Sequence, residues 1–287
     1  MCSKVYDRFV NKAPFAVMTR VLVQDFIGDE LDSIFDENRL VQYDYLASFK
    51  AIAATVADVV LNFSENFNQA YKKHKDELAV SRQSFYAKTR NIEPQVSQAV
   101  VAHSVDRASK IQDALGFEPW ELLPGYRCLC IDGNVLARSD KRLQVLHDLE
   151  AAPLPGKTVA RFDLQRQLFD RAYVLLDGHS QESNCCDQIT DELVANDVII
   201  ADRQYCIVSF LEKIANAHSF FAIRHHGRLK GVLLGKRKRI GRIATGVVYE
   251  QQMKLSDQDD ATVVRRVTVE LNEPTRDGDH EIHILSN

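Results

Sequence analysis

Apolar positions recur at two different periods along this chain, and the change of period divides it. Up to about residue 115 the spacing is helical. Pro14 to Phe35 carries apolar residues at that spacing, and Tyr43 to Phe63 sets Leu46, Phe49, Ile52, Ala53 and Val56 on one stripe. Ser64 predicts an N-cap for a short helix through Tyr71. SRQSFYAKTRN, Ser81–Asn91, is polar and predicts a joint between two helices. Pro94 suits the first turn of the next helix, which should end near Gly116. This region reads as a plain helical bundle, with DNA contact or dimerisation as alternative roles.

From Gly125 the period drops to two. Cys128, Cys130 and Asp132 fall on one face of a strand and Leu129 and Ile131 on the other, before a Gly-Asn turn. A strand apolar on both faces belongs inside a covered sheet, where an acid is hard to leave unpaired. DVIIAD, Asp197–Asp202, repeats the form, and Asp202 shares a face with Val198 and Ile200. Thr158–Leu164, Arg171–Asp177 and Ser219–Arg224 are further strands. Val135–Leu146 is extended or short helical, and Ala152–Lys157 is a loop. A helix starting at Ser180 or Ser183 shows Cys186, Ile189 and Leu193 on one face, and Tyr205–Ala217 is amphipathic. Strand, strand, strand, helix, strand, helix, strand makes a mixed α/β layer fold. Gly231–Leu234, Ala244–Tyr249, Val263–Leu271 and Glu281–Leu285 predict an antiparallel appendage.

Composition changes little in this picture. At 45% hydrophobic and 26% charged residues the chain suits a soluble globular protein, and its net charge of −4 excludes a basic nucleic-acid coat. The charge is uneven, however. Arg224, Arg228, Lys230, Lys236, Arg237, Lys238, Arg239 and Arg242 form a run without an acid, as a phosphate-contacting surface or a solvated ribbon would. Six cysteines in poor metal-ligand spacing read as reduced thiols of a cytoplasmic protein. The N-terminus lacks the apolar core of a signal peptide, and Ala51–Leu61, interrupted by Asp58, is too short to cross a bilayer, so no membrane partner is expected.

Two acids ending neighbouring buried strands would repel unless a cation neutralised them, and oxygen ligands alone favour Mg²⁺ or Mn²⁺. Two unrelated acids opening turns would leave the same pattern. No glycine-rich phosphate loop, HExxH or GxSxG motif competes for the chemistry.

Four segments occur in a specific order: CLCIDGNVL with Asp132, APLPGK at Ala152–Lys157, LLDGHSQES at Leu175–Ser183, and IADRQYC at Ile200–Cys206. With RLVQYDYL at Arg39–Leu46, they make the chain, over Phe9–Asn287, resemble the DDE transposases of the insertion-sequence-four family. The resemblance implies a ribonuclease H-like mixed sheet flanked by helices. It would be preceded by an all-helical region over residues 1–117, with the core over 118–226 and an antiparallel β insertion over 227–287. In that family two aspartates and a glutamate hold two Mg²⁺ (or Mn²⁺) ions, and the aspartates match Asp132 and Asp202. The ions would activate water for nicking and then the new 3′-hydroxyl for joining. Arg203 would contact a phosphate or make an ordinary ion pair. His179 and Glu182 would support the metal ligands or cap a helix. The implied partners are double-stranded DNA at transposon ends and, through the helical region, a second copy.

One element of the resemblance is absent. The family's glutamate follows the insertion in a Tyr-x2-Arg-x3-Glu-x6-Lys signature, and none of the nine tyrosines here has arginine three residues later. Glu270, Glu273 and Glu281 lie in strand or turn contexts, and Glu182 follows the wrong strand. The sequence therefore predicts a transposase shortened at its C-terminus and impaired in strand transfer. Its alternatives are a catalytically inactive DNA-binding inhibitor of a full-length transposase, and a nuclease whose site Glu182 completes.

Overall fold

The computed structural model describes residues 28, 30–42, 47–135, 156–175, 180–258 and 261–287. Most of the helix expected over Pro14–Phe35, the segment after Val135, most of the APLPGK loop and His179 lie outside these residues. Two compact units divide the chain, Met1–Gln112 and Asp113–Asn287.

The first unit is helical among its described residues: α1 (Glu30–Asn38), α2 (Phe49–Val60), α3 (Phe67–Lys73), α4 (Lys75–Leu78), α5 (Arg82–Arg90) and most of α6 (Pro94–Ala114). Ser48 caps α2 by accepting the Ala51 amide at 3.2 Å. Leu31, Phe35, Phe49 and Val96 form one small core, in which the Phe35 and Phe49 rings stack at 5.0 Å. Ala47, Ile52, Tyr71, Leu78 and Phe85 form a second. Two expectations change. Asn66, not Ser64, caps α3, through the Gln69 amide at 3.0 Å. The polar joint Ser81–Asn91 is the helix α5: Ser81 caps it, and its single fully buried side chain, Phe85, anchors it. One buried residue in nine, with Phe85, Tyr86 and Ala87 adjacent in sequence, gives no periodic signal.

The second unit carries β1 (Arg127–Val135), β2 (Lys157–Asp163), β3 (Leu168–Leu175), β4 (Asp197–Ala201), β5 (Phe220–Arg224), β6 (Val232–Ile243), β7 (Gly246–Lys254), β8 (Val263–Leu271) and β9 (Glu281–Ser286). They form one nine-stranded mixed sheet in the order β3-β2-β1-β4-β5-β9-β8-β7-β6. β1 pairs parallel with β4 and β4 parallel with β5, while β2 is antiparallel to both β1 and β3. β9 joins the appendage to β5. Two short helices, α7 (Cys186–Asp191) and α8 (Val208–Asn216), follow β3 and β4. Their Ile189, Phe210, Leu211 and Ile214 bury against Leu129, Ile131, Ile199 and Ile223. The opposite face, with Cys130, Ala160, Ile200 and Ala222, is half-buried. The fold is thus α/β, a mixed sheet flanked by helices.

Two boundaries differ from expectation. The Gly-Asn pair after Asp132 does not turn the chain: Gly133 and Asn134 stay in β1, opposite Val159 and Thr158. β6 is also far longer than Gly231–Leu234, because an edge strand exposed along nearly its whole length needs no apolar pattern.

Buried charge fixes the register. Arg127 donates to both oxygens of Asp197, at 2.8 and 2.7 Å, across the first rung of the β1–β4 ladder. Arg161, 1% exposed, holds Asp170 in the same two-pronged way at 2.8 and 2.9 Å, tying β2 to β3. Burying such charges is tolerable only when they are paired.

Candidate active site

The β1–β4 register places the two expected acids. Arg127 faces Asp197, Cys128 faces Val198, Leu129 faces Ile199 and Cys130 faces Ile200, a constant offset of 70 residues. Asp132 and Asp202 differ by the same 70. Continued two residues past the last pair, Cys130 and Ile200, the same offset puts both acids at one position of the register. At that level β4 has ended at Ala201, while β1 runs on with β2 alone. Both acids therefore lie just beyond the last paired rung of β1 and β4. From β1 the chain goes on to β2 on one side, and from β4 it goes on to β5 on the other, so the boundary between β1 and β4 is a topological switch point, where open α/β sheets bind ligands.

Neither carboxylate is buried. Asp132 is exposed, and its Oδ1 accepts only the amide of Gly133, at 2.9 Å. Asp202 is exposed and caps the short 3₁₀ turn Arg203–Tyr205, Oδ1 accepting the Gln204 amide at 2.7 Å. The expectation of a half-desolvated Asp132 needing a partner is corrected: the strand's buried part stops at Ile131. Among the described residues, the second oxygen of each acid has no protein partner. Two hard oxygen donors at one level suit Mg²⁺ or Mn²⁺, which commonly use one or two carboxylates together with water and substrate phosphate. No group of three His, Cys, Asp or Glu side chains that could hold a metal ion occurs among the described residues. The residues therefore fit a divalent ion as two of its ligands and do not make a complete protein cage.

Glu182 lies in the 3₁₀ turn Glu182–Cys185 before α7. It is 9% exposed, and its carboxyl packs on Gly133 so closely that a Cβ there would collide with it. Only glycine allows this approach, which is the reason for Gly133 within a strand. Tyr205 donates to Glu182 Oε2 at 3.1 Å, and Lys157 Nζ stands 3.5 Å from Oε1. Burial first, and then the Glu182 carboxylate, push the Tyr205 phenol far above its ordinary value, so it remains a donor. Glu182 thus clamps the residue after Asp132 to the turn that Asp202 begins. It is on the core side of the sheet, whereas alternation sets Asp132 on the other face.

The basic run divides. Arg224 bonds Asp279 at 3.1 Å and Arg242 bonds Asn272 at 3.1 Å. Arg237 stacks on Tyr249 at 3.9 Å and donates to Glu281 at 2.7 Å. These three have internal roles. Arg203, Arg228, Lys230, Lys236, Lys238 and Arg239 have no side-chain bond or ion pair among the described residues. Three of them, Lys236, Lys238 and Arg239, project from the exposed edge strand β6.

Sequence reasoning missed Lys157, Gly133, Tyr205 and the Arg127–Asp197 pair as supports of the site. The last had a signal: Arg and Asp stand five residues before Asp132 and Asp202 respectively. The described cysteines are all free, and burial pushes the thiols of Cys185 and Cys186 up to about 11 and about 12. No described helix is long and apolar enough to cross a membrane. No family model and no curated protein matches this chain.

Proposed function

We propose that this chain is a transposase-type protein that binds double-stranded DNA, with Asp132 and Asp202 as acids of a metal-dependent strand-cleavage site. The observation that carries the reading is the shared 70-residue offset, by which two exposed carboxylates, each with an oxygen unbonded among the described residues, follow the last pair of two parallel strands. The mixed sheet around them supports a ribonuclease H-like core. A bound Mg²⁺ or Mn²⁺ would supply Lewis acidity and an activated water. Asp132 and Asp202 hold negative charge at fixed positions, Glu182 and Tyr205 keep their turns in place, and Arg203 offers a cation to a phosphate. Lys236, Lys238 and Arg239 bring phosphates to the same sheet through charge without sequence preference.

A second reading is favoured by one observation, the lack of a third metal-ligating side chain in reach of the pair among the described residues. In that reading the protein binds DNA without cleaving it and inhibits an active transposase, alone or as a mixed dimer. Supercoiled plasmid incubated with the protein in Mn²⁺ separates the two. Nicking that disappears in Asp132→Asn and Asp202→Asn supports the cleavage reading. DNA binding with equally inert wild type and variants supports the inhibitor.

A further inference from the structure

The antiparallel appendage β6–β9 meets the core sheet along a short seam. Ala222, Ile223 and Arg224 of β5 pair with Ser286, Leu285 and Ile284 of β9. Within the appendage, by contrast, β8 pairs with β9 from Arg265 to Glu270. One further bond closes the open end of the seam, from the His225 amide to the His283 carbonyl at 2.8 Å. At the other end the Asn287 side chain accepts the Phe221 amide at 2.9 Å and donates to the Ser219 carbonyl at 3.0 Å. Leu285 is the single buried side chain of β9, in one core with Ile223 and Leu229.

Two histidines face each other across the open end, their ring centres 6.2 Å apart. Cations approach them from every neighbouring strand. Arg266 comes from β8 and Arg237 from β6, while Arg203, Arg224 and His226 border the pocket of about 240 Å³ that both rings line. The acids on this side are already engaged. Glu281 accepts Arg237 at 2.7 Å and comes no closer than 3.6 Å to His283 Nε2, and Asp279 accepts Arg224 at 3.1 Å. Arg266 Nε is buried without a hydrogen-bond partner among the described residues. His283 Nδ1 lies 3.0 Å from the Thr268 hydroxyl, and His225 Nε2 donates to the Leu229 carbonyl at 3.0 Å, bonds that neutral rings make. A proton on either ring adds charge to a half-buried cationic cluster, where repulsion is weakly screened. Burial first, and among the charges Arg266, hold both pKa values below the ordinary one, to about 4 for His283.

We infer that His225 and His283 form a proton-operated device that sets whether the appendage stays joined to the core sheet. Neutral rings leave the seam closed. Rings that take protons from solvent repel each other and the arginines, and β9 then parts from β5 while β6–β9 stay paired among themselves. Once open, the histidines return to ordinary behaviour near pH 6.5 and accept protons that the closed form resists. Opening is therefore favoured as pH falls below about 6.5. For His283 alone, values of about 4 closed and about 6.5 open make the open fraction roughly thirtyfold larger at pH 5 than at pH 7.5. The device is independent of the DNA reading proposed above.

The test is hydrogen exchange of the full chain at pH 7.5 and pH 5, read by mass spectrometry as protection relative to the unstructured rate at each pH. The expected result is a roughly thirtyfold loss of protection at pH 5 in peptides spanning Ala222–His225 and Ile282–Asn287, with β1, β4 and β7 unchanged. His225→Gln/His283→Gln keeps polar groups that do not titrate, so its seam should stay protected at pH 5. Arg266→Gln leaves both histidines and removes a repelling charge beside them, so it should shrink the loss. That variant supplies the reading if the double variant lacks wild-type protection at pH 7.5. Equal seam protection at both pH values would overturn the inference. So would an equal loss in β1 and β4, which is global unfolding, or a loss in the folded variants equal to that of wild type.

Discussion

The paired strands β1 and β4 hold an aspartate near each end of their common register, and the two ends treat those aspartates oppositely. At the amino end, Asp197 is 1% exposed and takes two hydrogen bonds from Arg127 and a third from the Val194 amide at 3.0 Å. At the carboxyl end, Asp132 and Asp202 are exposed, with one short backbone bond each. Residue type alone does not distinguish these acids. Their partners do: a carboxylate whose oxygens are all occupied is fastening the sheet, and one with an oxygen to spare is available for a ligand.

The strongest way to break the fastening is at its most buried member. Asp170→Ala removes both hydrogen bonds to the buried Arg161 guanidinium and leaves Glu192, 3.6 Å away and partly exposed, as its acidic neighbour, which should cost about 3 kcal/mol in urea or thermal unfolding. Asp197→Ala should cost less, because its partner Arg127 is partly exposed.

A histidine among cations is the opposite case to a paired acid. His283 lies half-buried near Arg266 and His225, and burial first, then Arg266, lower its pKa to about 4. The folded state therefore resists a proton that the unfolded chain accepts near pH 6.5. Stability should be intact above that value, fall as pH drops from about 6.5 to about 4, and level off below, a loss of up to about 3 kcal/mol from this group. His283→Gln should flatten that part of the stability profile.

Gly133→Ala tests the clamp between the two turns. The new methyl must displace the Glu182 carboxyl, at about 1–3 kcal/mol typical of overpacking. Glu182→Ala should relieve that strain in the double variant, and a double-mutant cycle measures the coupling.

On the basic side, the same distinction applies to cations. Arg237, held by Tyr249 and Glu281, should matter little to DNA affinity, whereas Lys238→Ala and Arg239→Ala should each lower the salt slope of DNA binding by about 1. The smallest effect on stability should come from the acids proposed to act. Asp132→Asn and Asp202→Asn remove no ion pair, so unfolding should move by no more than about 0.5 kcal/mol.

The parts of this arrangement that repeat locally could be read in the chain. β1 and β4 were legible because apolar residues ran up to an acid twice, and the helix α8 because its apolar side has period 3.6. Helix α5 was not, since Phe85 is its one buried residue, nor was the length of β6, whose exposed edge carries charge instead of an apolar face. The clamp depended on contact between Glu182 and Gly133, 49 positions apart in the chain, and a glycine before asparagine is read locally as a turn. The role of Asp197, the first residue of DVIIAD, depended on the parallel register that sets Arg127 beside it.

The division between fastening and acting acids is tested most directly by one plasmid-nicking experiment in Mn²⁺. Wild type, Asp132→Asn, Asp202→Asn and a control, Asp187→Asn, at an exposed acid of α7 paired with Lys213, are compared on supercoiled DNA. Open-circle product is expected from wild type and Asp187→Asn, and none from Asp132→Asn or Asp202→Asn. Four proteins with the same nicking rate would contradict it.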